Sequence, residues 1–112
     1  MEIELEEKDG VTVAALFGEL DGRTAPEIQD KLLLLPQQNR KVLLDLSDVS
    51  YISSAGLRAL LMLYRQYANG ESKIALVGLS ESIRDMMAVT GFLEFFDDYA
   101  TLDEGLAALN NQ

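Results

Sequence analysis

Residues 42–61 read VLLDLSDVSYISSAGLRALL, and the change of period inside them decides the fold. Val42 to Leu46 is a nearly continuous apolar run, broken only by Asp45. A strand covered on both faces, as in a parallel sheet, needs such a run. After Ser53-Ser54-Ala55-Gly56 the spacing becomes helical. Leu57, Leu60, Leu61, Tyr64 and Ala68 fall at i, i+3, i+4, i+7 and i+11, with Arg58, Arg65 and Gln66 off that stripe. Asn69-Gly70 ends the helix. A buried strand feeding an amphipathic helix is the repeating unit of α/β folds.

The same alternation extends in both directions. Towards the N-terminus, Met1 to Glu6 alternates, with Ile3 and Leu5 on one side, and Asp9-Gly10 is a turn signal. Val11, Val13, Ala15 and Phe17 then predict a second strand, paired with the first as a hairpin and ended by Gly18. Thr24-Ala25-Pro26-Glu27 has the form of a capping box with proline in the first turn. Ile28, Leu32 and Leu35 continue that helix, and Pro36 closes it. Towards the C-terminus, Lys73 to Val77 is another buried-type strand. Ser80 caps a helix carrying Ile83, Met86, Met87 and Thr90, which stops at Gly91. Phe95 and Phe96 begin a short last strand. Thr101-Leu102-Asp103-Glu104 opens a final helix through Leu106 and Leu109.

The order β-β-α-β-α-β-α-β-α predicts one α/β domain over residues 1–112. Its sheet is mixed, mostly parallel, with about five strands flanked by about four helices and right-handed crossovers. A chain of 112 residues leaves no room for a second domain.

Composition narrows the chemistry. The chain contains no Cys and no His, so it lacks the commonest metal ligands and acid–base groups. Its net charge is −10 and its few basic residues are scattered, which argues against nucleic acid as a partner. No run approaches the roughly 20 apolar residues of a spanning helix. The acidic, alternating start is unlike a signal peptide. A cytoplasmic protein without membrane insertion is expected.

Polar residues gather from Asp45 to Gly56, between the buried strand and the helix. A helix N-terminus offers free N–H groups and partial positive charge, and accepts a phosphate readily. Ser53 or Ser54 there can be a cap, a phosphorylation site, or both in turn. Gly56 can serve simply to let the helix approach the sheet. Asp45 and Asp48 have nothing nearby to complete an octahedral oxygen site, so no metal is expected. Gly78-Leu79-Ser80 reads as a strand end plus a cap, and Met86-Met87 as core filler. No catalytic residue and no cofactor are expected.

The run Asp45 to Leu61, DLSDVSYISSAGLRALL, resembles the signature of the STAS domain, the anti-sigma factor antagonist family. Gly18 to Ala25, GELDGRTA, resembles the family's other recurrent segment, after its second strand. The resemblance implies a STAS-like fold and a role in partner switching. An unphosphorylated antagonist binds a switch-protein serine kinase, often an anti-sigma factor. Phosphorylation of one serine at the start of the helix after the third strand releases it, and a PP2C-type phosphatase restores it. By position that serine is Ser54. Many members carry Asp just before it, where this chain has Ser53, so Ser53 is a rival. The implied partner-binding surface is Asp21, Thr24, Ser53, Ser54, Ala55, Gly56 and Arg58. One alternative is a non-phosphorylated STAS subunit of a transport or sensory complex. Another is a small α/β enzyme using Asp45, Asp48 or Ser54, against which stands the lack of His, Cys and a phosphate loop.

Overall fold

Strands that are apolar on both faces need a covering layer on each, and the topology supplies two unequal ones. The computed structural model describes residues 1–35 and 40–111. Strands β1 (Glu2–Lys8) and β2 (Val11–Leu20) form an antiparallel hairpin. Its turn is Asp9-Gly10, both with positive φ (53° and 80°), as a two-residue type I′ turn requires. Then follow α1 (Ala25–Leu33), β3 (Lys41–Ile52), α2 (Ser54–Asn69), β4 (Lys73–Val77) and α3 (Glu81–Val89). A 3₁₀ turn (Phe92–Phe95), β5 (Asp98–Tyr99) and α4 (Leu102–Asn110) complete the chain. The sheet order is β1-β2-β3-β4-β5, with every pair after the hairpin parallel. This is the predicted mixed, mostly parallel sheet with its helices.

Crossovers of one hand between neighbouring strands bring α1, α2 and α3 to the same face. There Ala14, Leu16, Leu44, Leu46, Ile74 and Leu76 of the sheet meet Ile28, Leu32, Leu57, Leu60, Leu63, Ile83 and Met87. The alternate residues Val11, Val13, Leu43, Ala75 and Val77 face Leu106 and Leu109 of α4. Gly105 lets α4 lie close, since a Cβ there would stand 2.8 Å from Leu43 Cδ1. One helix cannot cover the whole sheet, so the α4 side of β1, the edge strand of this order, is left open with Glu2, Glu4 and Glu6 exposed. Among the described residues no helix is long and apolar enough to cross a membrane.

Several elements differ from their expected form. Gly18 does not end β2. Its φ of 113° absorbs a register shift against β3, and the strand runs on to bury Leu20. β3 likewise continues beyond Leu46 to Ile52, turning Val49 and Ile52 into the core. The buried stripe of α2 is Gly56, Leu57, Leu60, Leu63 and Tyr67. Leu61 and Tyr64 are half-buried at its flank and Ala68 is exposed. Tyr67 can go inside because its hydroxyl donates to the Leu32 carbonyl at 2.9 Å. Phe95 lies in the 3₁₀ turn instead of opening a strand, and Phe96 is drawn into the core, edge-on to Tyr64 at 5.6 Å. Leu5 is 40% exposed, unlike Ile3, which packs on the core. Pro36, read as closing α1, lies outside the described residues.

Candidate functional site

Leu20 and Ile52 end β2 and β3 side by side. The next residue, Ser53, donates its backbone N–H to the Leu20 carbonyl at 2.9 Å. Gly56 then presses the first turn of α2 onto the same carbonyl: a Cβ there would stand 2.5 Å from the Leu20 oxygen. Only a residue without a side chain fits. Gly56 is buried, so it shapes the site and presents no side chain to a visitor.

The two serines divide the work at this helix mouth. Ser53 has extended backbone and is the N-cap, its Oγ accepting from the Gly56 N–H at 3.1 Å. Ser54 is the first helical residue and is exposed, and its hydroxyl makes no hydrogen bond among the described residues. The first turn of α2 holds no acid, whereas α1 has Glu27, α3 has Glu81 and α4 has Asp103 and Glu104. The positive end of α2 is therefore uncompensated by any carboxylate of its own.

The loop between β2 and α1 lies against this mouth. A Cβ on Gly22 would be 3.5 Å from that of Ala55. Asp21 organises the loop, its Oδ1 accepting from the N–H groups of Arg23 (2.9 Å) and Thr24 (3.2 Å). The Arg23 N–H, helped by the Thr24 N–H and the Arg23 guanidinium, holds the Asp21 carboxyl below its ordinary pKa against the opposing effect of desolvation. Thr24 occupies the N-cap position of α1 but does not cap it. Its Oγ1 donates to the Glu19 carbonyl at 2.8 Å and accepts from the Asp21 N–H at 3.0 Å, so the hydroxyl is used to close the loop. The expected capping box is thus absent, and Glu27 instead accepts from the Met1 ammonium at 3.1 Å. Arg58 stands exposed one turn beyond Ser54.

On the other side of Ser54 an open groove of about 420 Å³ runs between the end of β3 and α3. Tyr51 and Leu57 line one wall and Ile83, Met86 and Phe92 the other. The sequence pointed to none of these as site residues. Met87 is fully buried, as core filler should be, but Met86 is only half-buried and faces the groove. Tyr51 is 53% exposed, and a tyrosine amid serines after a buried strand was the available signal.

Asp45 and Asp48 do not join the site. Asp45 alternates with Leu44 and Leu46, so it faces the α4 side, where its Oδ1 accepts from the N–H (3.0 Å) and Oγ (2.6 Å) of Ser47. Asp48 pairs with Phe17 next to inward-facing Val49. Among the described residues no His, Cys, Asp or Glu cluster could hold a metal. Ser80 does cap α3, accepting from the Ile83 N–H at 3.2 Å. Thr101 caps α4 in the same way through the Glu104 N–H. Because β2 to β5 follow in sequence order, the parallel part has no strand-order reversal and hence no deep switch-point crevice. What the carboxyl end of the sheet offers is a helix mouth with a shallow groove beside it.

Comparison with known proteins agrees with this geometry. The family model of the STAS domain matches residues 2–105. "Putative anti-sigma factor antagonist BtrV" of Bordetella bronchiseptica is 31% identical over 97 residues, covering 86% of this chain and 84% of that protein. The anti-sigma-B factor antagonist of Bacillus subtilis is 29% identical over 91 residues, covering 81% and 84%. The crystal structure of an anti-sigma factor antagonist from Mycobacterium paratuberculosis superposes with a TM-score of 0.83 at 29% identity, covering 97% of this chain and 93% of that one.

Proposed function

The chain belongs to the STAS domain family, and from that premise we propose that it is an anti-sigma factor antagonist that switches partners through phosphorylation of Ser54. Unmodified, it binds a switch-protein serine kinase or anti-sigma factor and displaces that partner's other client. The partner then transfers the γ-phosphoryl group of ATP to Ser54 Oγ, ADP leaves, and a base of the kinase takes the hydroxyl proton. A PP2C-type phosphatase hydrolyses the ester and resets the cycle. All of this takes place in the cytoplasm.

One observation carries the reading: Ser53 supplies the cap, which leaves the Ser54 hydroxyl exposed and uncommitted. A phosphate there adds about −1.5 to −2 charges at the positive end of a helix that lacks an acid. Such an anion is worth about 0.3–1 kcal/mol to the helix, so the fold survives modification. The interface does not survive, because the partner must desolvate a dianion or meet it with an acid. The partner surface comprises Asp21 and Thr24 of the loop with Ser53, Ser54, Ala55 and Arg58 of the helix, over the floor made by Gly56.

Incubation with the cognate kinase and ATP, followed by mass-spectrometric mapping, tests the assignment. Phosphate on Ser54 is expected. Phosphate on Ser53 alone, or on neither serine, overturns it.

A further inference from the structure

Arg58 is exposed and, among the described residues, makes no hydrogen bond or ion pair. The other arginines at this end are engaged, Arg23 with Asp21 at 3.4 Å and Arg84 with Asp98 at 3.0 Å. Ser54 and Arg58 are four residues apart on α2. Positions i and i+4 of a helix are neighbours, with Cβ atoms roughly 5–6 Å apart. Long helical side chains lean back over the turn N-terminal to their own Cα, which for Arg58 is the turn of Ser54. An anion placed N-terminal to a cation at this spacing is also the more favourable order along the helix.

We infer that Arg58 is the built-in counter-ion of a phosphate on Ser54. This rests on the reading of Ser54 as the modified serine and adds a second half to the switch. Unmodified, Arg58 is free to meet an acidic group of the partner. Once Ser54 is phosphorylated, the guanidinium turns onto the phosphate of its own helix, with the planar donor geometry that suits phosphate oxygens. Phosphorylation then withdraws a cation from the interface while adding a dianion to it. Asp21 and Arg23 on the adjoining loop are tied to each other, and the start of α3, whose Ser82, Ile83 and Met86 line the far wall of the groove, carries Glu81, Arg84 and Asp85. No acid in the first turn of α2 competes for Arg58.

The test uses the full chain with phosphoserine installed at position 54 during synthesis, so it does not depend on any kinase. The ³¹P resonance is titrated in this protein and in its Arg58→Gln and Arg58→Lys variants. Arg58 should hold the second pKa of the phosphate down. Arg58→Gln should raise it by roughly 0.3 unit or more, Arg58→Lys should stay near the parent, and the difference should vanish in concentrated urea. Coincident curves for the parent and Arg58→Gln overturn the inference, as does a difference that persists in the unfolded chain. Failure of a kinase to modify Ser54 would count against the functional reading and leave this measurement standing on its own.

Discussion

The mouths of α2 and α3 are built on one plan and charged differently. Each helix follows a parallel strand and begins with a serine whose Oγ accepts from the N–H three residues on, at 3.1 Å for Ser53 and 3.2 Å for Ser80. The next residue is Ser54 in α2 and Glu81 in α3. Two positions further, α2 has Gly56 pressed on a strand carbonyl, whereas α3 drives the Ile83 side chain into the core. α3 carries a permanent carboxylate and is anchored through a side chain. The first turn of α2 has no charged side chain and is seated on backbone, with a hydroxyl where α3 has its acid. Phosphorylating Ser54 would make the second mouth electrostatically resemble the first. The contrast separates a structural helix start from one that can be altered without dismantling the fold.

The largest effect that could break this comparison is on binding. Ser54→Asp should lower affinity for the kinase more than a hundredfold, equivalent to about 3 kcal/mol, by calorimetric titration, with an unchanged circular dichroism spectrum. Glu81→Ser should leave that affinity alone. Equal losses would mean that net charge at this end matters and position does not. Next comes Gly56→Ala, which must move the Leu20 carbonyl or the helix. It should cost about 1–3 kcal/mol in urea unfolding despite the better helix former. Unchanged stability would show that the seat of α2 gives way easily. The caps come third. Ser53→Ala and Ser80→Ala should each cost about 1 kcal/mol, while Ser54→Ala stays within about 0.5 kcal/mol. A loss from Ser54→Ala equal to that from Ser53→Ala would erase the division between the serines. The smallest effect is the charge exchange. Ser54→Glu should stabilise and Glu81→Ser destabilise, by about 0.3–1 kcal/mol each, fading as salt is raised.

The element order was legible because local period switches between strand and helix at each boundary. What escaped the sequence depended on distant partners. The stripe of α2 fits two rotations equally well by spacing, and the Leu32 carbonyl on α1 selects the one that buries Tyr67. Which serine caps α2 depends on where β3 ends, and its pairing with β2 carries it to Ile52. Gly18 reads as a terminator until the neighbouring strand demands an extra residue at that point. Thr24 has the spacing of a cap, but the loop uses its hydroxyl first. Ser54 and its surrounding motif were readable; the groove beside it was not, since Tyr51, Met86 and Phe92 come together only through the packing of α3.

The hairpin edge has its own consequence. β1 is a seven-residue strand with one side of its backbone unpaired, whereas β5 at the opposite edge has only two residues. A long open edge invites a strand from another molecule. Here such a strand from a second copy would bring Glu2, Glu4, Glu6 and Glu7 against the same residues. Mutual repulsion thus opposes edge-to-edge pairing of two copies, and it does so at a range of about 10 Å in 0.1 M salt. Concentrated stocks should accordingly keep best at low ionic strength, the opposite of what a purely apolar edge would prefer.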